Sequence, residues 1–277
     1  MKHVLPTYSL SGNTDPNGAV GALAAGLISC LLLGPLYALL VFYVPFIYIL
    51  FVFTLAYGIL VGKSVGWAAL KGNLQNQKIA VLLGFVTGLF AVYVQWVIWL
   101  YLQEGAWFFN PMEGMGALQN LALQGVWSLN SWTPTGNSLY GIWALEAAVI
   151  VSLSSLMSVY YLRDSIYCEE CKQWLDDQKQ EESIVSLPNE ELMNRIYSGD
   201  LEAFKKLRTY KNTQSDYEIP DPYARLTLNQ CPQCKNLNVL SLIKCSYYTN
   251  AEGELQVAED TLIDKLLIDN LLYQALI

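Results

Sequence analysis

The fold is decided by a stretch of 47 uncharged residues from Pro16 to Gly62, PNGAVGALAAGLISCLLLGPLYALLVFYVPFIYILFVFTLAYGILVG. A bilayer core about 30 Å thick takes roughly 20 helical residues, so this stretch is long enough for two transmembrane helices. A turn at Gly34-Pro35 would leave a first helix of about 15 residues, which is too short to cross. A turn just before Pro45 instead gives helices over residues 18–41 and 45–62. Pro45 then occupies a first helical position, and Pro35 becomes a kink.

Two more apolar segments predict a third span over residues 79–102 and a fourth over 140–161. Between them, residues 111–124 have apolar side chains at helical spacing but are too few to cross, so they predict a short helix in the membrane interface. The fold class is therefore an all-α four-helix transmembrane bundle over residues 18–161. Residues 1–17 are predicted to form an N-terminal tail, which lacks the pattern of a cleavable signal.

The charges divide the chain into two parts. Residues 1–161 carry four basic and four acidic side chains, whereas residues 162–277 carry 12 basic and 20 acidic ones and so account for the whole net charge of −8. Lys63, Lys71 and Lys78 lie between the second and third spans, and no basic residue lies between the third and fourth. Because basic residues favour the cytoplasmic side, both termini are predicted to be cytoplasmic.

Two CxxC pairs, Cys168/Cys171 and Cys231/Cys234, carry the strongest chemical signal. Two such turns can place four thiolates around one structural Zn²⁺ ion, and thiols in a reducing cytoplasm favour a metal over a disulfide. A thioredoxin-like redox pair is the alternative, but no βαβ pattern surrounds either motif. The 59 residues between the pairs require an insertion.

Residues 162–277 therefore predict a small α+β cytosolic zinc-ribbon domain with a helical insert over residues 172–222. Cys245 is expected in its core, whereas Cys30 is expected to act as a small apolar side chain within the membrane. The predicted elements are three antiparallel strands over 223–229, 237–248 and 254–257, insert helices beginning at Pro188 and spanning 201–210, and a final amphipathic helix over 260–276.

Composition also argues against several function classes. The domain is acidic, and a four-thiolate zinc site adds a formal charge of −2, so nucleic-acid binding is not expected. His3 is the one histidine in the chain, which argues against catalytic sites built on histidine. No phosphate-binding glycine loop or dinucleotide fingerprint is present, and the protein is predicted not to be an enzyme.

Glu146 and Gln95 are the candidate functional residues within the membrane. They are expected at similar depth on the fourth and third spans, which run antiparallel. An intramembrane carboxyl group is costly and is a functional candidate by default. Three interpretations stay open: a protonated Glu146 that joins two helices through Gln95, an ion or proton pathway, and a contact with lipid or a partner.

Three segments resemble a group of uncharacterised bacterial inner-membrane proteins: Val44–Tyr48, Ile142–Ala147, and Tyr167–Trp174 directly after the last span. The resemblance implies four transmembrane helices followed by a ribbon-like domain in a bacterial inner membrane. It implies no known activity.

The sequence as a whole predicts a multi-pass membrane anchor or adaptor. Its bundle would lie in the lipid bilayer and present the zinc-stabilised acidic domain to a protein partner or to another copy of the chain. The alternative is a small oligomeric ion channel or transporter gated by that domain. An ion path needs several polar groups along its length, and this bundle has few.

Overall fold

The computed structural model of the protein describes residues 4–44, 47–128, 132–175, 180–207 and 222–277. These residues form two compact units, Ser11–Ser165 and the combination of Met1–Leu10 with Ile166–Ile277. The helical unit contains α1 (Pro16–Tyr43), α2 (Ile47–Lys71), α3 (Gln77–Glu104), α4 (Pro111–Gln124), α5 (Asn137–Met157) and α6 (Tyr160–Arg163). The sheet unit contains β1 (Tyr167–Cys168), β2 (Gln173–Trp174), β3 (Gln180–Ser186), α7 (Glu190–Tyr197), α8 (Leu201–Lys205), β4 (Tyr223–Gln230), β5 (Asn238–Thr249), β6 (Leu255–Ile268) and α9 (Asn270–Gln274).

The helical unit has four helices long and apolar enough to cross a membrane: α1, α2, α3 and the segment Asn137–Arg163. Among the described residues, the number of such helices agrees with the predicted number of spans and suggests a membrane protein. α1 begins where the Asp15 side chain accepts a hydrogen bond from the Asn17 N–H, and it continues through Pro35. The predicted short helix over residues 111–124 is present as α4.

α2 is longer than predicted. It extends to Lys71 rather than ending at residue 62, while Pro45, the predicted first residue of this span, lies outside the described residues. Lys63 is therefore within the helix, where its ammonium group lies 4.2 Å from the centroid of the Tyr160 ring. A charged residue indicates where an apolar span stops, but a helix can continue beyond it because its backbone hydrogen bonds do not depend on the apolar surroundings.

The helical unit is held together by close backbone contacts at glycine. The Ser154 carbonyl oxygen on α5 lies between Gly62 on α2 and Gly84 on α3, and a Cβ atom added at either glycine would come within 2.5 Å of that oxygen. Small residues let membrane helices approach closely enough for van der Waals contact to stabilise them.

The sheet unit is built on four antiparallel strands in the order β3-β4-β5-β6, with β1 and β2 as a separate hairpin. Apolar side chains on one face pack with α7, α8 and α9 to form the core. Its fully buried members include Ile196, Phe204, Leu226, Leu242 and Leu266.

The first strand of this sheet corrects the prediction of a purely helical insert over residues 172–222. Gln180–Ser186 is β3, paired with β4 from Gln180↔Asn229 to Ser186↔Tyr223. β3 is an edge strand rich in charged and polar residues, so its sequence lacks the alternation of apolar and polar residues that marks a half-buried strand. Among residues 183–186, Val185 is the buried one. The insert helices that the structure describes are α7 and α8, and residues 208–210 of the predicted second helix lie outside the described residues.

The predicted final helix over residues 260–276 is wrong. Most of it belongs to β6, which pairs with β5, and α9 covers only Asn270–Gln274. Lys265 interrupts β6 with a φ of 50°, so the buried side chains Ile263, Leu266 and Ile268 are spaced by three and then two residues. This irregularity breaks the alternation of a regular strand and imitates helical spacing.

The N-terminal residues also differ from the separate tail predicted over residues 1–17. Thr7 forms a bridge with Leu266, and the Tyr8 N–H donates to the Lys265 carbonyl oxygen at 2.7 Å. The described part of Met1–Leu10 therefore extends the sheet beyond β6. Both ends of the chain belong to one unit, which is consistent with an even number of spans between them.

Candidate metal centre

The structure brings together the four cysteines that the sequence predicts as metal ligands. The Sγ atoms of Cys168, Cys171, Cys231 and Cys234 all lie within 4.8 Å of one another, and the Sγ atoms of Cys168 and Cys234 are 3.6 Å apart. None of the four is in a disulfide. Cys168 and Cys231 are buried, whereas Cys171 and Cys234 are partly exposed. The four thiols can therefore bind one metal ion.

Two turns of similar local geometry position these thiols. The first joins β1 to β2, whose register pairs Cys168 with Gln173, and the second joins β4 to β5. In each, a lysine follows the second cysteine with a left-handed backbone, Lys172 at φ 52° and Lys235 at φ 58°. This conformation reverses the chain so that both thiols of a CxxC pair face the same point.

Polar groups around the sulfur atoms hold the two turns in place. The Gln173 side-chain amide donates to Cys231 Sγ at 3.5 Å, and the Asn236 N–H donates to Cys234 Sγ at 3.5 Å. The Asn236 side chain also donates to the Glu170 carboxylate at 3.0 Å, which connects the second turn to the first. Hydrogen bonds of this kind orient metal ligands and stabilise thiolates.

The surroundings shift the pKa values of Cys231, Cys168 and Cys171 in different directions. Burial raises the pKa of Cys231, but hydrogen bonds from the backbone N–H groups of Cys234 and Gln233 and from the side chains of Cys168 and Gln173 together outweigh burial and bring that pKa down to about 6. Burial raises the pKa of Cys168, and burial together with hydrogen bonding to Cys231 and Cys234 raises the pKa of Cys171 to about 12. Near neutral pH this pKa favours the Cys231 thiolate, which is the form of cysteine that binds a metal.

The donor set restricts what the site can do. Four sulfur ligands favour a soft or borderline metal ion in tetrahedral coordination. They also leave no coordination position for water or a substrate, which is the arrangement of structural rather than catalytic metal sites.

The polar candidates within the helical unit have a different arrangement from the one predicted. Gln95 is buried on α3, but the Glu146 carboxyl on α5 hydrogen bonds with the Tyr37 hydroxyl on α1 at 2.7 Å. Tyr37 in turn lies 2.8 Å from the Thr54 hydroxyl on α2. Tyr37 was missed because sequence spacing does not reveal which faces of α1 and α5 meet.

The other two cysteines lie apart from the cluster, as expected. Cys245 is buried in β5 opposite Tyr223 of β4. Cys30 is fully buried in α1, and its thiol donates to the Thr87 carbonyl oxygen at 3.4 Å.

Comparison with known proteins gives no relative: no protein-family model, curated protein or solved structure matches this chain. The resemblance to bacterial inner-membrane proteins therefore stays a prediction.

Proposed function

We propose that this protein is a multi-pass membrane anchor or adaptor whose sheet unit is a ribbon-like domain stabilised by one structural Zn²⁺ ion. The observation that carries the proposal is the approach of four thiols to within 4.8 Å of one another, in a chain that also has a membrane-type helical unit. A zinc–sulfur bond of about 2.3 Å in a tetrahedral site places sulfur atoms about 3.8 Å apart. The Cys168–Cys234 separation of 3.6 Å is close to that value.

The four-thiol arrangement supports a metal site over the redox alternative. A redox CxxC motif needs only its own two cysteines and one sulfur accessible to a substrate disulfide. Here the two motifs lie together, and the first cysteine of each, Cys168 and Cys231, is buried. Iron is the other metal that tetrahedral thiolates hold. The metal content of purified protein distinguishes zinc from iron.

The adaptor role is supported by the closed ligand set and the charge of the domain. A structural metal stabilises a domain without reacting, so the sheet unit would act through its surface. Residues 162–277 carry a net charge of −8 before any metal binds, and zinc with four thiolates adds −2. The complementary partner is a protein with a basic surface or a basic patch on another copy, rather than a nucleic acid.

The lysine distribution supports a cytoplasmic location for both termini and the metal centre, and the resemblance noted in the sequence supports a bacterial inner membrane. A phosphatase that folds only after export tests this orientation. Fused at Ile277 it is expected to be inactive, and fused after Asn120 on α4 it is expected to be active. Activity of the fusion at Ile277 would overturn the cytoplasmic placement.

The adaptor proposal is tested by affinity purification from detergent-solubilised membranes, using the wild type, a Cys231→Ser/Cys234→Ser variant and Glu146→Gln as the matched control. A defined protein or a second copy is expected with the wild type and Glu146→Gln but not with the cysteine variant. A wild-type chain that purifies alone and is monomeric by native mass spectrometry would contradict the adaptor role.

A channel or transporter is the second candidate, and the hydrogen-bonded group of Glu146, Tyr37 and Thr54 favours it. This group joins α5, α1 and α2 and contains an ionisable side chain inside an apolar bundle. It ranks second because it is a single polar layer, whereas conduction requires a series of sites. Ion flux into liposomes containing the purified protein would reverse this ranking.

A further inference from the structure

The first residues of the chain form a short strap on the sheet unit. The Leu5 N–H donates to the Tyr197 carbonyl oxygen at 2.7 Å, and the Leu267 N–H donates to the Pro6 carbonyl oxygen at 2.9 Å. The Tyr8 N–H then bonds to Lys265, where β6 has its left-handed residue. These bonds fix the direction in which the Tyr8 side chain leaves the strap.

The Tyr8 side chain reaches the first cysteine turn. Its hydroxyl accepts a hydrogen bond from the Tyr167 N–H at 2.7 Å and donates one to the Tyr167 carbonyl oxygen at 3.2 Å. Tyr167 immediately precedes Cys168, which is buried with the other ligands. One phenol therefore bonds to both backbone polar groups of the residue next to a metal ligand.

The pairing of β1 with β2 explains why Tyr167 can make these bonds. The Leu175 N–H donates to the Ile166 carbonyl oxygen at 2.7 Å, and Tyr167 is paired with Trp174. In an antiparallel ladder, hydrogen-bonded and non-hydrogen-bonded pairs alternate. The backbone groups of Tyr167 therefore point away from Trp174, on the side where the Tyr8 hydroxyl lies.

We infer that Tyr8 is a positioning residue for the metal centre and that the N-terminal strap and the metal stabilise each other. The phenol holds the two-residue strand β1 in the conformation that places Cys168 Sγ beside the other three thiols. A strand this short has few bonds of its own, so an outside partner is needed to fix it. Groups that orient a ligand from outside the coordination sphere change metal affinity by about 10- to 100-fold when they are removed.

The contact between Tyr8 and Tyr167 joins the segment of chain that precedes the helical unit to the segment that follows it. Tyr8 lies eight residues before α1 begins at Pro16, and Tyr167 lies four residues after α6 ends at Arg163. By linkage, release of the strap weakens metal binding by the same factor as loss of the metal weakens docking of the strap.

The inference rests on the proposed metal site, and the test separates the two. Full-length protein in detergent is titrated with Zn²⁺ against a chromophoric chelator, for the wild type, Tyr8→Phe and Tyr248→Phe. Tyr8→Phe keeps the ring but removes both bonds to Tyr167. Tyr248→Phe is the matched control, because it removes a hydroxyl that donates to the Gln256 side-chain oxygen at 2.8 Å in the same unit but outside the strap. A wild type that binds no metal would contradict the proposed function itself.

Tyr8→Phe is expected to bind Zn²⁺ about 10- to 100-fold more weakly than the wild type, and Tyr248→Phe within about twofold of the wild type. Equal affinity in Tyr8→Phe and the wild type, or a loss in Tyr248→Phe as large as that in Tyr8→Phe, would overturn the inference. A second measurement needs only the wild type: hydrogen exchange of the Leu5 and Tyr8 amides, whose N–H groups donate to Tyr197 and Lys265, before and after metal removal. Faster exchange without metal supports the coupling, and unchanged exchange contradicts it.

Discussion

The Tyr37 hydroxyl on α1 lies 2.7 Å from the Glu146 carboxyl on α5 and 2.8 Å from the Thr54 hydroxyl on α2. The Thr54 hydroxyl also donates to the Leu50 carbonyl oxygen at 2.9 Å. Three contacts need three protons, and the two hydroxyl groups supply only two. All three contacts are satisfied together when Glu146 is a neutral carboxylic acid, because its proton then completes the chain.

This proton count predicts the effect of changing Glu146. Glu146→Gln keeps a donor beside Tyr37, so the thermal stability in detergent is expected to match that of the wild type. Glu146→Ala and Tyr37→Phe are each expected to lower the free energy of unfolding by about 0.6–2 kcal/mol, the range for interhelical hydrogen bonds in membranes. The double variant should lose less than the sum of the two, since the same contact is removed twice.

Ion flux measured on the same proteins separates a structural role of Glu146 from a role in a pathway. An inert anchor shows no flux in either the wild type or the Glu146→Gln variant, and its stability follows the hydrogen bonds alone. Flux in the wild type that disappears in an equally stable Glu146→Gln variant would show that the ionisable group carries protons or cations.

The glycine contacts around Ser154 predict a second stability effect. In Gly62→Ala, the added methyl group would come within 2.5 Å of the Ser154 carbonyl oxygen, so α2 and α5 must separate. We expect a loss of about 1–3 kcal/mol, as for overpacked cores. Gly21→Ala in α1 is the control, because its added Cβ meets nothing within 4 Å, and alanine favours the helix by up to about 1 kcal/mol.

Thermal unfolding in detergent measures both glycine variants. The predicted order of stability is Gly21→Ala at or above the wild type, with Gly62→Ala below it. A Gly62→Ala variant as stable as the wild type would contradict the close approach of α2 and α5.

The unequal cysteine pKa values predict how metal binding depends on pH. At pH 7 the Cys231 thiol, with a pKa of about 6, is largely ionised, whereas the raised pKa values of Cys168 and Cys171 keep those thiols protonated. Zinc uptake should therefore release at least two protons. Affinity should rise at least about 100-fold per pH unit near pH 7, because each released proton contributes about tenfold. Calorimetry in buffers of different ionisation enthalpy counts the protons, and fewer than two would contradict the assignment.

Much of the helical unit could be predicted because hydropathy alone identifies apolar helices of sufficient length. The four cysteines were equally predictable, since the CxxC turns limit where each pair of thiols can point. The partner of Glu146 was not predictable from spacing, because the rotation of α1 against α5 decides it. Likewise, β6 resembled a helix only because Lys265 interrupts its alternation, and the contact between Tyr8 and Tyr167 joins residues 159 positions apart.

The metal content of the purified full-length protein tests the proposed zinc site most directly. It is measured by elemental mass spectrometry and compared with that of a Cys168→Ser variant. We predict close to one zinc per chain in the wild type. The Cys168→Ser variant should lose the zinc, and trypsin should then cleave within residues 166–277. Wild-type protein that contains no metal and still resists trypsin across these residues would contradict the claim.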